Sequence, residues 1–178
     1  MGKQHDKQQA FINKNADERS LTTYFGQFDV THKQRTNRLL HFICVPLMVF
    51  GILTLTWAFP FPQIGFLKAY NGYFNWASFV IAFWVYYVLK QSPLLSYIML
   101  FIMFAFSYLV MQLQNWDKSG GLPLIWTGTI IIALAALGQY LGSIKEGRAS
   151  WQVDKKLFLI APLWVLHQLL SRLGVNKY

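Results

Sequence analysis

Four long apolar stretches, separated by short polar or proline-containing segments, dominate the middle of the chain. They cover approximately residues 39–59, 73–89, 94–113 and 122–141. About 20 apolar residues are needed for an α-helix to cross the hydrocarbon core of a bilayer. In lipid every backbone donor and acceptor must be satisfied within its own segment, so each stretch is expected to be a helix. The pattern therefore predicts four membrane spans, the second of which, at about 17 residues, is at the short limit.

Polar segments frame this apolar region on both sides. Residues 1–20 have the composition of a mobile tail, and residues 20–38 mix polar with scattered apolar positions, which predicts a short helix on the membrane surface. Residues 157–170 are apolar again but too short to span, and Pro162 interrupts them, which indicates an interfacial or re-entrant helix. The expected fold is all-α, a single helical membrane domain over residues 21–178. It has about four transmembrane helices and this C-terminal helix.

The scarcity of charge supports a bilayer as the solvent of this domain. Residues 39–144 contain four charged side chains, at Lys68, Lys90, Asp117 and Lys118. A water-soluble fold of this size needs charged helix faces, and this stretch has none. The single cysteine, Cys44, excludes an internal disulfide and a cysteine metal cluster.

The distribution of basic residues predicts which side each helix end faces. Fourteen of the 16 Lys and Arg residues lie before the first stretch, after the fourth, or at Lys90 between the second and third. The two opposite loops contain only Lys68 and Lys118. By the positive-inside rule both termini are cytoplasmic, in an inner, plasma or endoplasmic reticulum membrane. The net charge of +9 is then explained by topology and by anionic lipid headgroups, so no nucleic-acid partner is expected.

Histidines at membrane depth are the first candidates for chemistry. Ionisable groups are costly there, which makes His41 in the first span and His167 in the last apolar run functional candidates. Asn37 and His41 share a helix face, whereas His32 and His41 would point to opposite sides of one straight helix. These two histidines can serve one metal site only if the helix breaks between them, and Thr36 or Asn37 could cap a new start. The alternative is that interfacial histidines only hydrogen-bond headgroups or backbone.

A second polar group, residues 139–148, follows the fourth apolar stretch. With four spans it emerges on the same membrane side as His32 and His41. Its glycines permit a close approach or a turn. Glu146 within it has an alternative interpretation as a solvated charge between basic neighbours.

Two motifs and the C-terminal segment resemble the 2-hydroxy fatty acid dioxygenases that metabolise phytosphingosine to odd-numbered fatty acids. The first motif is His32-x4-Asn37-x3-His41, followed by Ile-Cys-Val-Pro at residues 43–46. The second is Gln-Tyr-Leu-Gly at residues 139–142, followed by Glu146 and Gly147. The segment Ala-Pro-Leu-Trp-Val at residues 161–165 also fits, and the resemblance covers residues 24–175.

The resemblance implies a small helical membrane protein that carries out Fe(II)-dependent dioxygenation, with histidines as iron ligands. Ser143 stands where the family has histidine, and a serine hydroxyl is a poor ligand for Fe(II) compared with imidazole. Glu146 would complete a set of two histidines and one carboxylate with His32 and His41, as in non-haem Fe(II) oxygenases. His167 is the other possible replacement.

The first functional hypothesis is a membrane-embedded iron dioxygenase that shortens 2-hydroxy fatty acids by one carbon, with the bilayer and a fatty acyl substrate as partners. Asn37 and Gln139 are the further polar site residues implied by the two motifs. Arg148, Arg38 or Arg35 would pair with the carboxylate of the substrate.

The second hypothesis is a non-catalytic relative that binds a lipid or a membrane partner on the same scaffold, and Ser143 favours it. A haem protein that uses His41 and His167 has less support, because no other residue marks a haem site. A transporter also has less support, because the spans carry no buried charge and the chain has no clear internal repeat.

Overall fold

The computed structural model describes residues 21–62, 65, 74–144, 146 and 157–174. This part of the chain is helical with connecting turns and contains no strand, which confirms the predicted all-α class. Its six helices are α1 (21–31), α2 (Arg35–Ala58), α3 (Trp76–Gln91), α4 (Pro93–Lys118), α5 (Leu124–Ile144) and α6 (Ala161–Arg172). The predicted mobile tail, residues 1–20, lies outside the described residues.

Helices α2 to α5 alternate in direction. The start of α2 lies beside the end of α5, because a Cβ atom on Gly142 would meet the side chain of Asn37. Trp76, at the start of α3, donates its indole N–H to the carbonyl oxygen of Pro60 after the end of α2 (3.1 Å). A single residue, Ser92, connects α3 to α4. One end of the bundle, called the site end below, therefore gathers the starts of α2 and α4 and the ends of α3 and α5.

Three of the helices are long and apolar enough to cross a membrane. They are α2, α4 and α5, with 24, 26 and 21 residues. Helix α3 has 16 residues, and at 1.5 Å per residue it extends about 24 Å, less than the ~30 Å hydrocarbon core. The predicted helical membrane bundle is confirmed, but only three of the four predicted spans reach the usual length.

Capping residues fix the short length of α3. At its start, the side-chain oxygen of Asn75 accepts the backbone N–H of Ser78 (3.0 Å). At its end, Ser92 leaves the helical conformation and caps α4, with Pro93 in the first turn of that helix. Asparagine and serine favour such positions because their side chains replace the missing backbone partner, and proline is tolerated in a first turn.

The outer surface of the bundle is apolar. Large side chains on three helices are mostly exposed, for example Phe83 on α3 (68%), Phe101 on α4 (74%) and Leu134 on α5 (62%). A water-soluble protein rarely exposes so much contiguous apolar surface. A hydrocarbon environment solvates these side chains, as expected for a membrane protein.

Glycines allow α2 and α5 to pack closely along their length. A Cβ atom on Gly128 would lie 3.0 Å from the backbone nitrogen of Leu55 and 3.2 Å from the carbonyl oxygen of Gly51. A Cβ atom on Gly51 would lie 2.7 Å from Cγ1 of Ile132. Helix association in lipid depends on such close packing, because lipid tails are as apolar as the helices themselves.

Helices α1 and α6 pack against the site end, α1 through one buried face and α6 through its first half. The first six residues of α6, 161–166, are buried, and Leu163 and Trp164 have no exposure. They form one apolar cluster with residues of α1, α2 and α4, including Phe28, Val45 and Met99. Each helix also leaves other residues exposed. The surface position of α1 and the interfacial or re-entrant position of α6 stay predictions, because packing against the bundle does not fix the depth of a helix in a membrane.

Gly128→Leu should destabilise the bundle, because the added side chain meets backbone atoms of α2 that cannot rotate away. We expect the free energy of unfolding to fall by about 1–3 kcal/mol, measured by detergent-induced unfolding of the purified protein. Ala133→Leu places the same side chain on the exposed face of α5 and should unfold like the wild type. Equal unfolding curves for the two variants would contradict the close packing of α2 on α5.

Candidate functional site

A bend between α1 and α2 brings two histidines together. Helix α1 ends at residue 31 and α2 begins at Arg35, so the chain turns directly after His32. The ring centroids of His32 and His41 are 4.3 Å apart, with the ring planes at 75°. Neither side chain has any exposed surface. The helix break that a shared site requires is present, although it lies a few residues before the predicted position.

The position of the bend is explained by Glu146. Gln34, which precedes the first turn of α2, makes no side-chain cap of its own. Its backbone N–H donates to Oε1 of Glu146, which follows α5. The carboxylate thus takes the capping role that was expected of Thr36 or Asn37. An anionic group at a helix N-terminus is also favoured by the helix dipole.

Backbone carbonyl groups orient both imidazole rings. Nδ1 of His32 lies 3.0 Å from the carbonyl oxygen of Phe28, and Nδ1 of His41 lies 3.2 Å from that of Asn37. Because a carbonyl oxygen only accepts hydrogen bonds, each Nδ1 is assigned the proton and each Nε2 the lone pair. Histidines that bind metals commonly donate their second N–H to a backbone carbonyl in this way. The pair is therefore suited to contribute two nitrogen ligands.

Aromatic rings from α1 and α6 enclose the histidine pair. The ring of Trp164 lies 5.5 Å from that of His32 and 6.3 Å from that of His41, between centroids. Trp164 stacks on Phe28, with centroids 5.1 Å apart and planes at 21°. Since both aromatic side chains are fully buried, they exclude water from this side of the pair and lower the local dielectric constant.

One carboxylate oxygen holds Trp164 in place. Oδ1 of Asp29 accepts hydrogen bonds from Nε1 of Trp164 (3.1 Å), Nε2 of Gln168 (2.7 Å) and Nη2 of Arg38 (3.1 Å). These partners lie on α6 and α2, so Asp29 on α1 connects the three helices that surround the histidines. Arg38, expected to pair with a substrate carboxylate, pairs with Asp29 here. No sequence motif marks Asp29, because its partners Trp164 and Gln168 are so distant in the chain.

The second motif lies beside the first. Gln139 and His41 line the same small cavity between α2, α5 and the start of α6. Asn37 is buried and faces α5 at Gly142. Ser143 is buried one turn beyond Gln139, and its hydroxyl donates to the carbonyl oxygen of Tyr140 (2.8 Å). The two motifs expected on one membrane side therefore meet at the site end of the bundle.

Glu146 and His167 do not join the histidine pair. Glu146 caps α2, and the ring of His167 stacks on Phe25, with centroids 4.6 Å apart and planes at 20°. Burial lowers the pKa of His167, opposed in part by the nearby charge of Asp29, so the imidazole is neutral at pH 7. Among the described residues, no three His, Cys, Asp or Glu side chains form a group that could hold one metal ion. A ligand role for Glu146 or His167 stays a prediction.

The histidine pair thus fits a metal as two of its ligands, and the described residues supply no third of the usual types. Arg148, expected to bind a substrate carboxylate, lies outside the part of the chain that the structure describes.

A comparison with protein families gives one match over residues 18–173, most of the chain, to the family described as 2-hydroxy-palmitic acid dioxygenase Mpo1-like. The matched region contains both histidines of the pair and the whole described bundle. Comparisons with curated proteins and with solved structures give no match.

Asp29→Ala should loosen α6, because three hydrogen-bond donors lose their shared acceptor. We expect the free energy of unfolding to fall by about 1–3 kcal/mol, followed by circular dichroism during thermal unfolding in detergent. Asp29→Asn keeps one acceptor oxygen without the charge, and its stability should lie between those of Asp29→Ala and the wild type. If Asp29→Ala unfolds at the wild-type temperature, these hydrogen bonds do not hold α6 in place.

Proposed function

Since the chain belongs to the 2-hydroxy-palmitic acid dioxygenase Mpo1-like family, we propose that it is a membrane-embedded dioxygenase that shortens 2-hydroxy fatty acids by one carbon. The observation that carries this proposal is the buried pair His32 and His41. Two imidazoles in one tautomer, each oriented by a backbone carbonyl, are costly to bury in a membrane protein unless they serve a site.

The proposed reaction balances with one O₂ per substrate. The carboxyl carbon leaves as CO₂, and the carbon that carries the hydroxyl group becomes the carboxylate of the shortened acid. The substrate loses four electrons, O₂ accepts them, and the remaining hydrogens leave as water. No reductant besides the substrate is required.

Fe(II) is the proposed cofactor, and the Nε2 atoms of His32 and His41 would hold it. When bound, iron would activate O₂ and act as a Lewis acid toward the hydroxyl and carboxylate oxygens of a 2-hydroxy acid. Ser143 replaces a family histidine, so two protein ligands leave more positions for the substrate and O₂ than three would. Glu146 is the candidate for a third ligand, but it would have to release the Gln34 amide.

The protein residues around the pair have separate proposed roles. Trp164 and Phe28 keep water from the histidines, and Asp29 positions Trp164. Gln139 lines the cavity beside His41, where its amide group can donate a hydrogen bond to the substrate's oxygens. The polar head of the substrate would bind at this end of the bundle.

One observation favours a second candidate function, a non-catalytic protein that binds lipid on the family scaffold. The hydroxyl of Ser143 is engaged with a backbone carbonyl of its own helix. A chain that lost iron with this one histidine would keep the bundle and its apolar surfaces, and could retain binding without chemistry.

Iron content and product formation distinguish the two candidates. In anaerobically purified wild type we expect stoichiometric iron, and conversion of 2-hydroxyhexadecanoic acid to pentadecanoic acid in air. His32→Ala and His41→Ala should each lose both. His167→Gln changes the histidine that stacks on Phe25 outside the pair; it should keep both, and a loss of iron would instead identify His167 as a ligand.

Ser143→His tests the second candidate directly. If the wild type holds no iron but Ser143→His does, the chemistry was lost with this residue and lipid binding is the better description. Glu146→Gln separates capping from ligation, because a glutamine still accepts the Gln34 N–H but is not an anionic ligand. We expect its iron content to be unchanged, and a loss of iron at normal stability would instead identify Glu146 as a ligand.

The proposed topology places the site end at the cytoplasmic face, because the basic residues cluster there. Reporter fusions after Lys68 and Lys118 should be non-cytoplasmic, and fusions after Lys90 and at Tyr178 cytoplasmic. Alkaline phosphatase activity, which requires export, measures the first pair, and fluorescence of a cytoplasmic reporter measures the second. Phosphatase activity at Lys90 would place the histidine pair on the opposite side.

A further inference from the structure

Two cavities share a wall inside the bundle. The smaller one lies beside His41 and Gln139, and also contacts Val45, Val49 and Pro162. The larger one contacts these same three apolar residues and continues along α4 to Met99, Ile102 and Phe106. The space beside the histidine therefore adjoins, along one face of α2, the space between α2, α4 and α6.

The chemistry changes along this path. The end near His41 and Gln139 offers ring nitrogens and an amide. Every residue that lines the larger cavity is apolar: valine, proline, methionine, isoleucine, phenylalanine or leucine. The path is polar at one end, and its other end has no donor or acceptor side chain. It therefore suits an amphiphile with a small polar head and a hydrocarbon tail.

The larger cavity is a groove and not a closed pocket. Its enclosed volume is ≈ 50 Å³, but ≈ 330 Å³ when its open side is included. Pro46 on α2 and Ile102 on α4 are partly exposed on its border, so the open side faces the surface that lipid would cover. A hydrocarbon chain can therefore enter sideways from the bilayer without first crossing water.

The groove has a defined far end. From His41 to Val49 the axis of α2 advances about 12 Å. Just beyond, the ring of Phe50 meets that of Phe106, with centroids 5.3 Å apart. These two rings mark the far end of the groove between α2 and α4, and a longer chain would leave it through the open side.

We propose that this groove between α2, α4 and α6 binds the acyl chain of the 2-hydroxy fatty acid, with Ile102 at its side and Phe106 at its end as residues that determine chain length. The identity of the polar head rests on the proposed function, whereas the course of the acyl chain rests on the groove itself. The cavity beside His41 is lined by His41 and Gln139 among apolar residues and by no cationic side chain, so it offers partners for a small polar head but none for the phosphate of a phospholipid. The occupant is therefore a free fatty acid derivative and not a bilayer phospholipid.

Photo-crosslinking tests the path without requiring turnover. The probe is 2-hydroxyhexadecanoic acid with a diazirine midway along its chain, bound to the full-length protein in phosphatidylcholine nanodiscs. Mass spectrometry of the peptides should locate the label on residues 99–106 of α4 and 45–49 of α2. An excess of unmodified 2-hydroxyhexadecanoic acid should remove this label.

Ile102→Trp should fill the groove and reduce labelling by about tenfold, which corresponds to roughly 1.4 kcal/mol of binding free energy. Ile98→Trp is the matched control, since residue 98 is also partly buried on α4, one turn away, and lines neither cavity. Ile102→Phe, a smaller change, should give an intermediate loss if the tryptophan variant does not fold. Phe106→Ala should open the far end and shift preference toward longer 2-hydroxy acids.

The outcomes separate this inference from the proposed catalysis. If an excess of 2-hydroxy acid cannot remove the label, the groove holds bilayer lipid only. If Ile98→Trp and Ile102→Trp lose the same amount of label, the groove is not the path of the acyl chain. Either result overturns the inference. Competed label in the groove without any product would support it while refuting the dioxygenase function. Product formation with label only outside the groove would support the dioxygenase function and refute the groove as the acyl-chain site.

Discussion

The close antiparallel contact between α2 and α5 is the constraint on which the site depends. The first motif lies at the start of α2 and the second at the end of α5, about 100 residues later. Only an antiparallel pair joins those two ends, and only small residues let the backbones approach so far. Gly142 leaves room for the Asn37 side chain, and Gly128 leaves room for the α2 backbone. Because lipid provides no hydrophobic drive between helices, this fit is a main source of their association.

The histidine pair shows how a membrane protein can bury polar rings at acceptable cost. Each ring gives its Nδ1 proton to a carbonyl oxygen one turn earlier in its own chain segment, which satisfies one polar atom locally. For His41 that carbonyl belongs to Asn37. Asn37 and His41 are therefore linked by a hydrogen bond to the backbone and also lie on the same face of α2. Trp164 then covers the pair, and its own indole N–H is satisfied by Asp29 at a partly exposed position. The two Nδ1 atoms and the indole N–H thus each have an acceptor, as burial in a low dielectric demands.

The residues of the second motif and the histidine pair have different structural consequences. Gly142 and Gln139 are held by packing against α2 and the cavity beside His41, so they would remain useful to the fold without any metal. Glu146 also has a structural purpose, since it caps α2 and thereby fixes the bend that pairs the histidines. The presence of these neighbours beside Ser143 is therefore not in itself a sign of metal binding. The pair of histidines is different, because aliphatic residues would fill the same buried space at lower cost.

The sequence by itself determined the helical class, the approximate limits of α2 to α5 and the side-by-side position of the two motifs. Hydrophobic runs in lipid must become helices, and local caps such as Asn75 and Ser92 end them where the sequence places them. Helix geometry also made a break between His32 and His41 the condition for a shared site. Only the tertiary structure decided where that break falls, that α6 is buried against the histidines, and that Asp29 joins three helices. Those features depend on partners more than 100 residues apart, such as Gln34 with Glu146 and Asp29 with Trp164. No local pattern encodes such contacts, because they exist only once the helices have packed.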